Sequence, residues 1–212
     1  MDTLTISTII VFSAHAAVFI FSFSLDYFSK SAIELRRLKR LPLKSISEVK
    51  DNEEIKIIGN IEHVNSPLIA PLSKRQCSHY YVLVEEVRGR HSAWTPMIEE
   101  EKCVDHLISD GHSHAVVRGG TIKSHIEQDK IYSLSALDKI PESLEQYLLE
   151  HGQTSEGFLG LFNKKLRFKE GILNEGSQVS VFGKGKWITE ENIDGNNKVL
   201  EVYPQYISAV LD

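Results

Sequence analysis

Residues 3–25, TLTISTIIVFSAHAAVFIFSFSL, form a run of 23 residues without a formal charge. No other feature limits so severely what this chain can fold into. At 1.5 Å per residue a helix of that length reaches about 34 Å, enough to cross a hydrocarbon core of roughly 30 Å. Its Ser and Thr hydroxyls can bond back to the helix's own carbonyls, which makes them compatible with lipid. A buried core helix is usually shorter. A cleaved signal peptide wants a basic start and a shorter apolar stretch, whereas only Met1 and Asp2 precede this run. The sequence predicts an uncleaved transmembrane anchor over residues 1–25.

Charge sets the orientation. No Lys or Arg precedes Lys30, and residues 26–44 then hold six (Lys30, Arg36, Arg37, Lys39, Arg40 and Lys44) against Asp26 and Glu34. Positive-inside reasoning puts the short N-terminus outside and everything after the span in the cytoplasm of a single-pass protein. The basic segment is expected to be a juxtamembrane helix over 26–44, helical to about Arg40 ahead of Pro42. Arg36, Arg37, Lys39 and Arg40 are its candidates for contact with anionic headgroups, at about 1 kcal/mol per nearby basic residue. From residue 45 onward there are 18 basic and 26 acidic residues, a net of -8. Such a domain neutralises phosphates poorly, so nucleic acid is not an expected partner.

Residues 45–212 read as one β-rich domain of the α+β class. Period-two alternation dominates: Ile55, Ile57, Gly59 and Ile61 share a face, and strand candidates follow at 78–90 and 92–100, with a turn at 88–91. Two apolar runs around Asp110-Gly111 signal a hairpin. One helix is expected near 141–151, opened by Pro141 and closed by Gly152, with Leu144, Tyr147 and Leu148 on one face. Residues 153–160 read as a loop, and strands resume at KLRFKEGIL, SQVSVFGKGKW, KVLEVY and YISAV, with a turn at Asp194-Gly195-Asn196-Asn197. Two segments, 55–61 and 179–185, each lead β-branched residues to a core-facing glycine, as two strands of a curled, barrel-like sheet would.

Candidate chemistry is sparse. Cys103-x-x-His106-x5-His112-x-His114 offers zinc-type ligands, but in no strong spacing. Cys103 and His106 are expected on opposite faces of one strand, with the other two histidines at a turn, so solvated histidines are the default and no metal or cofactor is assigned. Cys77 with His79 has the composition of a nucleophile and a base, without an evident third group; a structural thiol is favoured. Two cysteines make a disulfide scaffold improbable in a cytoplasmic domain. The basic, Gly-containing FGKGKW lacks phosphate-loop spacing and a following helix. Arg167 and Glu170 point to opposite faces of a strand, and a structural ion pair is favoured over ligand binding. Trp94, Trp187, Tyr80 and Tyr81 suit either a core or an interaction surface.

EIKIIGNIEHVNSPLIAPLSKRQCSHYYVLVEE resembles the opening of the GIDE, or "beside a membrane", domain found in membrane-bound E3 ubiquitin ligases and in many prokaryotic proteins. The matching elements are Gly59, Ala70-Pro71-Leu72, Cys77 and the Tyr80-Tyr81 pair. Leu107 to Gly111, with Asp110-Gly111 at its end, is similar to the family's central hairpin, although Ser113 stands where a second glycine is usual. The block from Pro141 to Gly183 resembles the family's helix, loop and Arg-aromatic-x-Glu strand, with Arg167, Phe168, Glu170, Leu173, Gly176 and Gly183. The similarity covers about residues 54–187. It implies a domain that senses or recruits beside a bilayer while chemistry resides elsewhere. Two cysteines cannot build the RING through which the ligases act, so ligase activity does not carry over.

The expected function is a membrane-anchored, non-enzymatic interaction or scaffold module with a membrane or cytoplasmic protein partner. The rival readings are a metal-dependent hydrolase using Cys103, His106, His112 and His114, and a sensor of small ligands or lipid headgroups. With no RING and no organelle-type leader, a bacterial inner membrane is the expected location.

Overall fold

A computed structural model describes residues 30–64, 66–89, 92–120, 122–157, 163–192 and 195–210. The chain divides into two units, Met1–Leu41 and Pro42–Asp212. In the first, helix α1 (Lys30–Lys39) carries Arg36, Arg37 and Lys39 in its last turn, where cations complement the helix dipole. Arg40 follows as a turn ahead of Pro42. The span expected over residues 3–25 lies outside the described residues; among those, no helix is long and apolar enough to cross a membrane.

The second unit is mainly β and is built around a closed barrel of five strands. They are β1 (Glu54–Glu62), β6 (His106–Ser109), β7 (His114–Val117), β11 (Gln178–Asn192) and β12 (Gly195–Ala209). Going round, β1 pairs β6, β6 pairs β7, β7 pairs β12, β12 pairs β11, and β11 returns to β1. Only β7 with β12 is parallel. Counted within the barrel the order is 1-2-3-5-4-1, the Greek-key connectivity of OB-type barrels. Alternation fills the interior: Ile55, Ile57, Ile61, Ile108, Ala115, Val117, Val179, Val181, Leu200, Val202 and Ile207 are buried together.

Two look-alike segments anticipated in the sequence are neighbours in this barrel, with Ile55 opposite Gly183, Ile57 opposite Val181 and Gly59 opposite Val179. Their glycines allow close backbone approach. A Cβ at Gly59 would lie 2.6 Å from the Ser109 carbonyl oxygen, and one at Gly183 would lie 2.4 Å from that of Tyr203. The register shift between Phe182 and Gly183 falls at the second of these sites, as expected where a strand must bend to close a barrel.

Segments inserted between barrel strands form a second layer. Its sheet runs β5 (Ala93–Cys103), β4 (His79–Arg88), β10 (Leu166–Leu173), β9 (Lys130–Leu134), all antiparallel. Helix α2 (Glu142–Glu150) packs Leu144, Tyr147 and Leu148 against Tyr80, Val82, Val84, Leu166 and Phe168 in a separate core. A small ladder, β2 (Leu68–Ile69) with β3 (Gln76–Cys77), flanks it. Strand β8 (Lys123–His125) lies parallel to β12 beside the barrel.

The structure corrects three local expectations. KVLEVY and YISAV are one strand, β12, continuous through Pro204. Gly195, Asn196 and Asn197 pair with Asn192, Glu191 and Glu190, so these three belong to β12 rather than to the expected turn, whose Asp194 lies outside the described residues. Cys103 and His106 belong to different strands, separated by residues 104–105, which are in neither.

Candidate functional site

The residues singled out by sequence are spread over both layers, and most of them join one element to a neighbour within its layer. Glu170, on β10, is fully buried. Its carboxylate accepts hydrogen bonds from the backbone N–H of Leu72 (2.7 Å) and Ser73 (3.1 Å), and an Arg75 nitrogen stands 3.8 Å away. It thereby holds the loop that contains Ala70-Pro71-Leu72. Arg167 faces the other side of the sheet, donating to Glu85 at 2.8 Å and lying 4.3 Å from the centre of the Trp94 ring. Lys169 also reaches Glu85 at 3.0 Å. Burial alone would raise the Glu85 carboxyl, but these two cations outweigh it and hold it below the usual carboxylate range.

Glu100 is the hub on the α2 side, and sequence reasoning missed it. Its oxygens accept from Tyr80 at 2.7 Å and from Tyr147 of α2 at 2.8 Å, and Lys102 pairs with it at 2.8 Å. His151, just past the helix, lies 3.3 Å away through Nε2, while its Nδ1 faces the Tyr147 carbonyl at 2.9 Å. Burial opposes ionisation of Glu100, yet Lys102 and the two phenols keep it below its ordinary range; burial raises Tyr80 to about 12. The signal was present in the run Glu99-Glu100-Glu101. On a strand, alternation sends the middle carboxylate to one face and its neighbours to the other. Accordingly Glu99 takes the Tyr81 hydroxyl at 2.9 Å, and Glu101 takes the His79 Nε2 proton at 2.9 Å and the Ser124 hydroxyl.

Where sequence suggested nucleophiles, the geometry offers none that is activated. Cys77 is buried among the apolar residues beneath α2, and burial pushes its thiol up to about 11. The His79 imidazole is bonded to Glu101, and towards Cys77 this residue turns only its backbone N–H. Burial drives the Cys103 thiol up to about 12. Reactive cysteines are shifted the other way. In the Ser124–Glu101–His79 set the carboxylate lies in the middle, whereas a serine relay needs the imidazole between hydroxyl and acid.

The four suggested metal ligands are not brought together. Cys103 Sγ is 4.0 Å from His106 Nδ1, but that nitrogen donates to the Val104 carbonyl at 2.9 Å. His112 is exposed at the β6–β7 turn, and His114 leans towards Glu62 at 3.4 Å. Among the described residues no group of three or more His, Cys, Asp or Glu side chains is arranged to hold a metal. His79 and His106 are both fully buried, and each leaves one ring nitrogen (Nδ1 and Nε2 respectively) without a partner among the described residues. Burial, with His79 and His63 nearby, lowers the pKa of His106 although the Val104 carbonyl favours its charged form.

Other joints complete the frame. Asp110 accepts from Ile46 N at 2.8 Å and from His112 and Ser113 within its own turn, where Gly111 takes φ +89°. Arg118 bridges Asp105 and Glu201. Trp187 donates its indole N–H to the Val49 carbonyl at 2.8 Å. A cleft of about 570 Å³ is lined by Tyr81, Ser124, His125, Ile126 and Glu127, and another of about 610 Å³ by Asp51, Trp187, Thr189 and Lys198.

Comparison with protein-family models, with curated proteins and with solved structures returns no match for this chain.

Proposed function

We propose that this chain is a membrane-anchored, non-enzymatic interaction module, its domain facing the cytoplasm and related in kind to the GIDE domain. The observation that carries the reading is how the distinctive residues are used. Glu170, Glu100, Arg167, Asp110, Gly59 and Gly183 each fix one structural element to another. A domain whose distinctive residues brace strands, loops and helix within each layer, with Glu101 of β5 taking the Ser124 hydroxyl of β8 between the layers, is suited to presenting a surface. Residues 3–25 supply the anchor in this reading, and the basic residues from Lys30 to Lys44 supply its orientation. The resemblance over residues 54–187 supports recruitment beside a bilayer as the task.

Crosslinking in native membranes, followed by purification of the full-length chain, tests this. A near-stoichiometric protein partner that is lost when residues 54–187 are replaced is the expected result. Recovery of the chain alone, under conditions that preserve other membrane complexes, would count against recruitment.

A further inference from the structure

The second sheet has two edge strands, β5 and β9, and they differ in chemistry. The β5 edge carries the usual safeguards against pairing with another chain. Pro96 has no N–H to offer, the register shifts where Pro96 meets Glu85, and Glu99, Glu100, Glu101 and Lys102 crowd one stretch with charge. The β9 edge, Lys-Ile-Tyr-Ser-Leu, has one charge, at its first position, and no proline or bulge. Two strong strand formers stand out on it, with Ile131 58% and Tyr132 38% exposed. No described segment pairs with its outer side.

We infer that β9 is a pairing edge for a second copy of this chain, joined antiparallel about a two-fold axis through Tyr132. In that register no like charges meet. Tyr132 meets Tyr132 of the second copy, Ile131 meets Ser133, and Lys130 meets Leu134. The only charge on each strand is thus carried to opposite ends of the junction, where it opposes an apolar residue. Lys130 also lies diagonal to the second copy's Tyr132 on the same face, within reach of the ring.

On that face Tyr132 stands opposite Phe168 and Leu134 opposite Leu166. Pairing therefore extends the core beneath α2 across the axis. The product is one sheet of eight strands, β5-β4-β10-β9 continued by its copy, within the ordinary size of sheets. The contact is isologous and closed, so it consumes the open edge without propagating. This inference stands apart from recruitment of a partner: its test needs no other protein, and either can fail while the other holds.

The test is a charge exchange at the axis in the full-length chain, with mass measured by light scattering at micromolar concentration in detergent. Wild type is expected to be a dimer. Tyr132→Glu alone and Tyr132→Lys alone place like charges opposite each other, and each should weaken the dimer at least tenfold. Mixing the two variants should restore a dimer containing one copy of each, a result that loss of folding could not produce. A monomeric wild type, single variants that remain dimeric, or a mixture that fails to pair would each overturn the inference.

Discussion

Glu170 shows what one buried carboxylate does here. It has no exposure to water, and its oxygens serve two backbone N–H groups of one loop. Removing the acceptor leaves the N–H groups of the half-buried Leu72 and Ser73 without their partner, so Glu170→Ala should cost about 2–3 kcal/mol, and Glu170→Gln, which keeps one acceptor, should cost less. Denaturant unfolding followed by Trp94 and Trp187 fluorescence would read this; equal losses for both substitutions would mean that volume matters more than hydrogen bonding. His106 makes a prediction of opposite electrostatic sense. Its folded pKa is depressed, chiefly by burial, so the unfolded chain takes up the proton first as pH falls below about 6.5. The stabilisation is complete above that pH and is lost as pH falls towards the folded pKa, with a slope of at most about 1.4 kcal/mol per pH unit. Carboxyls held low in the fold, including Asp105, Glu100 and Glu201, act only at lower pH. His106→Gln should therefore flatten stability between about pH 6.5 and 5, and an unchanged slope would remove His106 as its source.

At the scale of elements, two kinds of glycine can be told apart. Gly183 and Gly59 sit where another strand's carbonyl occupies the space of a side chain, whereas Gly111 has open space but a positive φ. Alanine at Gly183 must displace backbone on β12, so it should cost about 3 kcal/mol or more; at Gly111 the strain of a left-handed residue is about 1–2 kcal/mol. Unfolding midpoints in the reverse order would contradict this account of barrel closure. These elements also show what the sequence could reveal. β1, β4, β10 and β11 were legible because one side of each faces a core, which imposes alternation. β8 and β9 were not: β8 has three residues, and β9 has four of its five side chains exposed, so no burial pattern marks them. The parallel contact of β7 with β12 joins residues more than 80 positions apart, and no local signal encodes it. Glu100 was hidden because its partners, Tyr80, Tyr147 and His151, come from two other elements.

Taken as a molecule, the chain is electrically divided. Six basic residues lie in residues 26–44, and the remainder to the C-terminus carries a net charge of -8. Beside an anionic leaflet the first part is attracted and the second repelled, each over roughly one Debye length of 8 Å at physiological salt. On the proposed topology, the basic segment therefore fixes which side the domain occupies, and the acidic domain has no electrostatic reason to lie flat on the lipid. Replacing Arg36, Arg37, Lys39 and Arg40 by Ala leaves only Lys30 and Lys44 to bias insertion, which should convert a single orientation into a mixture. The anchor itself should be unaffected, because the uncharged run is unchanged. Two readouts on the full-length chain separate these effects: resistance to alkaline carbonate extraction reports the anchor, and protease access to a C-terminal tag in sealed vesicles reports the orientation. Retention in the pellet for both proteins, with the tag wholly cytoplasmic in the wild type and divided in the variant, is the expected pattern. If carbonate strips the wild type from the membrane, residues 3–25 do not span it; if the variant keeps one orientation, the basic segment is not what sets it.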